Sequence, residues 1–121
     1  MTLKLFLKNI RSVVQLFTIC EIPLRYLFTV DFPHPIGIVI ASGVVIGKKV
    51  TIYQNVTIGR KTVGDESSYP VVCDNVIVYA GAVLIGNITI GARSIIGANA
   101  IVSKSVPPDS VVVGYNSFIA M

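Results

Sequence analysis

"IVIASGVVIGKKVTIYQNVTIG", residues 38–59, carries aliphatic side chains on a fixed count. Ile40, Ile46, Ile52 and Ile58 recur every six residues, and Val44, Val50 and Val56 follow the first three at an offset of four. A helix repeats its buried face about every 3.6 residues and a half-buried strand about every two, and neither leaves single aliphatics on a six-residue beat. That beat belongs to a parallel β-helix. Three short strands make one triangular coil of about 18 residues, and the beat residues stack inward, coil upon coil.

Past "RKTVGDESSYP", residues 60–70, the beat resumes with Val72, Val78, Leu84, Ile90, Ile96 and Val102. Val76, Ala82, Ile88, Ser94, Ala100 and Val106 keep the companion places. Ile58 and Val72 stand 14 apart instead of six, so eight residues are inserted. A loop at about residues 60–70 must therefore leave the prism, and long loops inside a regular repeat tend to serve function. Gly47, Gly59, Gly91 and Gly97 each follow a beat residue, where a turning backbone is expected to benefit from the missing Cβ. The expected fold class is all-β, a parallel β-helix over residues 31–121, preceded by a helix and lead-in over residues 1–30.

In that lead-in, Lys4, Lys8, Arg11 and Gln15 line one helical face, with Leu3, Phe6, Leu7, Ile10, Val13, Val14 and Phe17 on the rest. A short amphipathic helix ending near Cys20, before Pro23, is expected to cap the open end of the coil. Lys8 and Arg11 interrupt the apolar run, and Glu21, Pro23 and Arg25 end it short of the ~20 apolar residues of a membrane helix. No small-residue cleavage site follows. A cytoplasmic location is expected, and membrane contact is not.

With 53% hydrophobic residues in 121 and 13% charged, a lone copy exposes much apolar surface, so self-association is expected. The net charge of +4 suits a phosphate-bearing cofactor. Neither a basic recognition helix nor an aromatic RNA-binding motif is present, so nucleic acid is not expected. Cys20 and Cys73 have no CxxC or metal-ligand spacing and read as free thiols, with no metal site.

Residues one coil apart share an edge of the prism. With the insertion removed, Gln54, Ala80 and Ala98 form one column, and Arg60, Gly86 and Lys104 a second. His34, the single histidine, stands two places before Ile36, where the first column begins. Counting the beat backward puts His34 at an inward place, where an unpaired imidazole is costly. Pro33 and Pro35 fix φ and remove amide donors, so the chain is expected to leave the regular path there. A working base and an ordinary loop histidine are both open on these grounds.

The segment His34-Pro35-Ile36-Gly37-Ile38-Val39-Ile40 resembles the H-x-x-G-I-V-[VI] stretch of serine O-acetyltransferases. The likeness continues through "NVTIGRK" and "YPVVCDNVIVYAGAVLIGNITIGARSIIGANAIVSKSVPPDSVVVG", covering roughly residues 21–114. It implies a left-handed coil, although β-crossovers in general prefer the right hand. A homotrimer with sites between subunits is implied as well, together with transfer of an acetyl group from acetyl-CoA to a hydroxyl. On the same resemblance, His34 matches the catalytic base, and Glu21 is the best match for the acid that orients it, with Asp31 the runner-up and a further substrate contact. Ala80 and Ala98 match the pantetheine groove, and Ser103 and Lys104 the nucleotide end. A backbone N–H near Gly59 is the expected oxyanion donor.

The departures bear on the acceptor. Ser68-Tyr69-Pro70 replaces the family's R-H-P, and Pro33 replaces an acid before the first histidine. A saccharide hydroxyl in surface polysaccharide biosynthesis is therefore the expected acceptor, with Tyr69 as a contact. Serine as acceptor, in cysteine biosynthesis, and a non-catalytic assembly module are the alternatives. A γ-type carbonic anhydrase needs three histidines per site, which a chain with one does not supply. Cys73, in a regular strand without a basic partner, reads as structural.

Overall fold

The computed structural model describes residues 2–7, 9–10, 20–64 and 69–121. Its strands follow the six-residue beat. The first full coil is β1 (Val39–Ile40), β2 (Val45–Ile46) and β3 (Thr51–Ile52). The second is β4 (Thr57–Gly59), β5 (Val71–Val72) and β6 (Ile77–Val78), and the third is β7 (Val83–Ile85), β8 (Thr89–Ile90) and β9 (Ile95–Ile96). A fourth holds β10 (Ile101–Val102) and β11 (Ser110–Val113), and β12 (Ser117–Ala120) folds back antiparallel on β11. All other paired strands run parallel, in three sheets ordered β1-β4-β7-β10, β2-β5-β8 and β12-β11-β9-β6-β3. The coils form a left-handed parallel β-helix.

Register stacks the aliphatics as the beat requires. Ile40 lies on Ile58 and Leu84 on Val102 in one sheet, while Ile52 lies on Val78 and Ile96 on Val112 in another. These side chains are almost wholly buried. Each full burial of this kind stabilises the fold by about 1.5–3 kcal/mol. Ser94 also lies inside, and its hydroxyl donates to Pro107 O and accepts from Ser110 N–H, which removes the penalty of a buried polar group.

Two details differ from the sequence expectation. Val106 does not keep a companion place; it bridges to Ile90 in the beat stack, because the fourth coil turns two residues sooner after Val102 than the third does after Leu84. The glycines after beat residues are not there for positive φ. The left-handed turn residues come later, at Lys49, Asn55, Asn75, Arg93, Asn99 and Asp109, with Gly37 and Gly81 in equivalent places. At Gly47 and Gly91 the reason is instead closeness, since a Cβ would collide with Asp74 and with Pro108 respectively.

The winding begins at Glu21 rather than at 31. Glu21 bridges to Val39 and Asp31 to Thr51, both parallel, so the lead-in is itself a coil over two of the three sheets. Over the third, a 3₁₀ turn (Leu24–Tyr26) replaces the strand. The Tyr26 hydroxyl donates to Val44 O at 2.6 Å and accepts from Ile46 N–H at 3.2 Å, standing where a main-chain rung would be. Tyr26 and Val30 thus close this end of the core. Residues 3–7 and 9–10 are helical, with Thr2 Oγ1 accepting from Leu5 N–H, and Leu3, Phe6, Leu7 and Ile10 are exposed. The rest of the expected helix, residues 11–19, lies outside the described residues.

Candidate active site

His34 sits where the chain turns from the β3 sheet toward β1. Asp31 and Val39, the partners of Thr51 and Thr57, are eight residues apart, whereas those two are six apart. Two extra residues are therefore spent at this corner, enough to swing His34 off the inward place that the beat assigns it. The imidazole is exposed. Ile36 N–H donates to His34 O at 2.7 Å, a three-residue turn centred on Pro35. The Cys20 thiol donates to Pro35 O at 3.0 Å, tying the loop to the lead-in coil.

Below the loop the first column is as the repeat count places it. Asn55 N–H donates to Ile36 O, Gly81 N–H to Gln54 O and Asn99 N–H to Ala80 O, which sets Ile36, Gln54, Ala80 and Ala98 in line down the corner. Ala80 is half-buried and Ala98 exposed, leaving a shallow strip beside the histidine. Beside it runs an aromatic stack that the column count passed over. The His34 and Tyr53 ring centres are 6.3 Å apart, and Tyr53 and Tyr79 stack at 5.1 Å and 15°. Each tyrosine directly follows a beat residue, Ile52 or Val78, and that shared place was the available signal. Among the described residues, Gln54 Oε1 is buried with no hydrogen-bond partner.

The other predicted residues lie elsewhere on the same copy. Gly59 ends β4 and pairs with Ile85, which puts Arg60, Gly86 and Lys104 in line at the far edge of the β1-β4-β7-β10 sheet. Tyr69 returns from the inserted loop at that same edge. Its ring covers Gly43, where a Cβ would strike it, and the Arg60 guanidinium stands 5.8 Å from the ring centre. Ser103 and Asn116 hold each other, with Ser103 N–H donating to Asn116 Oδ1 and Asn116 Nδ2 to Ser103 Oγ, both at 2.8 Å. Lys104 is exposed and forms no ion pair among the described residues. Loop residues 65–68 lie outside the described residues.

Glu21 and Asp31 flank the histidine loop through the main chain. Glu21 N–H donates to Ile38 O, and Asp31 N–H to Val50 O. Among the described residues neither carboxylate hydrogen-bonds the imidazole. One copy therefore brings together His34, Gln54, Ala80 and Ala98, and separately Gly59, Tyr69, Ser103 and Lys104, at the two corners flanking one sheet. Electrostatics at both corners are spare. The described ion pair, Arg93–Asp109 at 2.7 Å, is at the third corner, where the Arg93 hydrogen bond and charge hold the Asp109 carboxyl below its usual range. Among the described residues no three or more His, Cys, Asp or Glu gather as for a metal, and no helix is long and apolar enough to cross a membrane.

Comparison with known proteins agrees with this architecture. The bacterial transferase hexapeptide family (six repeats) matches residues 69–104. The serine acetyltransferase of Mycobacterium tuberculosis is 48% identical over 81 residues, which are 67% of this chain and 35% of that protein. The Neisseria gonorrhoeae serine acetyltransferase structure superposes with a TM-score of 0.72 at 33% identity, over 75% of this chain and 36% of that one. A serine acetyltransferase solved in complex with CoA gives 0.62 at 36% identity, over 68% and 33%. The chain thus spans about a third of the length of the relatives it matches.

Proposed function

Starting from a hexapeptide repeat of the serine acetyltransferase-like branch, we propose that this chain is an acetyl-CoA-dependent O-acetyltransferase acting as a homotrimer. The observation that carries the reading is the exposed His34 imidazole, set at the head of the Gln54–Ala80–Ala98 strip by two residues that the repeat does not need. A coil built only for stacking has no use for that detour.

In the proposed reaction His34 takes the proton of the acceptor hydroxyl as its oxygen bonds to the thioester carbonyl carbon. The carbon–sulfur bond then breaks, and the imidazolium returns the proton to the departing thiolate. A placed general base contributes about 10²- to 10⁴-fold. Glu21, whose rung adjoins the loop, is the proposed orienting acid, and Asp31 takes the acceptor. Ala80 and Ala98 leave room for the thin arm of the thioester, and the exposed ammonium of Lys104 suits its phosphates. Ser103 adjoins Lys104, and Gly59 lies two coils away along the same edge, so in this reading each site draws on two neighbouring copies.

For the acceptor, the relatives favour serine, the group that their names carry. Tyr69 supports the saccharide as a second reading: where the resemblance expects an imidazole, a phenol ring is packed over Gly43 with Arg60 beside it. Thiol release from acetyl-CoA against a panel of amino acids and sugars tests both. Release with serine alone removes the saccharide, release with a sugar alone removes serine, and release with neither defeats the reading as an enzyme. A non-catalytic module predicts that His34→Ala changes nothing but stability, whereas the enzyme predicts loss of transfer with the fold intact.

A further inference from the structure

We infer that Gln54 is a further catalytic residue, the side-chain donor that holds the thioester carbonyl oxygen as it becomes an oxyanion; this rests on the acetyl-transfer reading above. Gln54 lies one rung below the loop that carries His34, since Asn55 N–H bonds Ile36 O, and one rung above Ala80, since Gly81 N–H bonds Gln54 O. Its neighbour Tyr53 already meets the imidazole ring. An acyl group held between the histidine and the alanine strip passes this side chain.

The amide is also oriented in an unusual way. Among the described residues Oε1 is buried without a partner, while the side chain as a whole is only half-buried. A buried orphan acceptor is rare and calls for a reason. With the oxygen inward, the NH₂ is the end of the half-buried side chain left for a ligand in the strip.

The donor expected from sequence, a backbone N–H near Gly59, lies within the β4–β7 pairing and would reach the histidine only from the next copy. Gln54 supplies one at the histidine's own corner. As the acceptor oxygen bonds to the carbonyl carbon, the C=O π pair moves onto oxygen, and the Gln54 N–H groups hydrogen-bond that charge. When the carbon–sulfur bond breaks, the pair returns to C=O, and no proton passes through the amide.

Gln54→Met keeps the length and removes both polar ends. We expect kcat to fall about 10²-fold, the size of a lost oxyanion donor, with KM for acetyl-CoA changed less than about threefold. The thermal midpoint should hold or rise, because the orphan acceptor goes as well. Gln54→Glu, which keeps an oxygen inward but has no NH₂, should lose as much turnover. Turnover of Gln54→Met within about threefold of the parent overturns the inference, as does a loss accompanied by a lowered midpoint, which marks a structural role. The outcomes separate cleanly: an active Gln54→Met beside an inactive His34→Ala defeats Gln54 alone, whereas a parent chain without thiol release defeats the reading beneath it.

Discussion

Two stretches turn the same corner of the prism. Val78–Ala82 does so with every place kept, Val78 and Ala82 inside and Gly81 at φ +75°. Phe32–Ile38 uses two prolines and two extra residues, with His34 outside. The regular turn buries Val78 and Ala82 and presents the Tyr79 ring and a half-buried alanine. The irregular one keeps Phe32 and Ile38 at its inward places and spends its extra residues on presenting an imidazole. In this fold stability belongs to the stack, and chemistry to the places where the stack is broken.

If that division holds, the two turns can be damaged independently. His34→Ala should lower acetyl transfer by about 10²- to 10⁴-fold, and its unfolding midpoint should match the parent because the ring makes no buried contact. A matching loss of stability would mean that the irregular turn is structural after all. Leu84→Ala, in the regular third coil, should cost about 2–5 kcal/mol in denaturant unfolding, because a fully buried side chain leaves a cavity between Ile58 and Val102.

Smaller effects sharpen the contrast further. Tyr26→Phe leaves Val44 O and Ile46 N–H without the hydroxyl that joins them, and should cost about 1–3 kcal/mol by the same measurement. The least effect belongs to Asp109, exposed beside Arg93. Its folded pKa is lowered first by the Arg93 hydrogen bond, with Arg93's charge adding to it, so its stabilisation is present above the usual carboxylate range and disappears as pH falls through the folded value. Asp109→Asn should therefore differ slightly from the parent at neutral pH and converge with it in acid, and a gap that widens in acid would reverse the sign.

The stacked coils were legible because each beat residue is aliphatic and each coil repeats its neighbour's constraint. Ile40, Ile58 and Leu84 could be paired from counting alone, and the eight-residue insertion fell where β4 gives way to the loop. The lead-in coil was not legible. Tyr26 reaches into its rung with a side-chain hydroxyl, so no strand pattern marks it. Val106 was misassigned because a turn shortened by two residues leaves no trace in composition. At the site, His34 and the Ala80–Ala98 column followed from resemblance and counting. The Tyr53–Tyr79 stack did not, since beat analysis follows inward residues and these lie outside.

The central claim is that the histidine corner of one copy works with the loop corner of the next. Mixing two inactive variants tests it most directly, His34→Ala with the charge reversal Lys104→Glu, unfolded and refolded together. Random assortment in a ring predicts recovery of about a quarter of the parent's transfer, since a neighbouring pair then often holds one intact half-site of each kind. A mixture no more active than its two components measured apart would contradict the account.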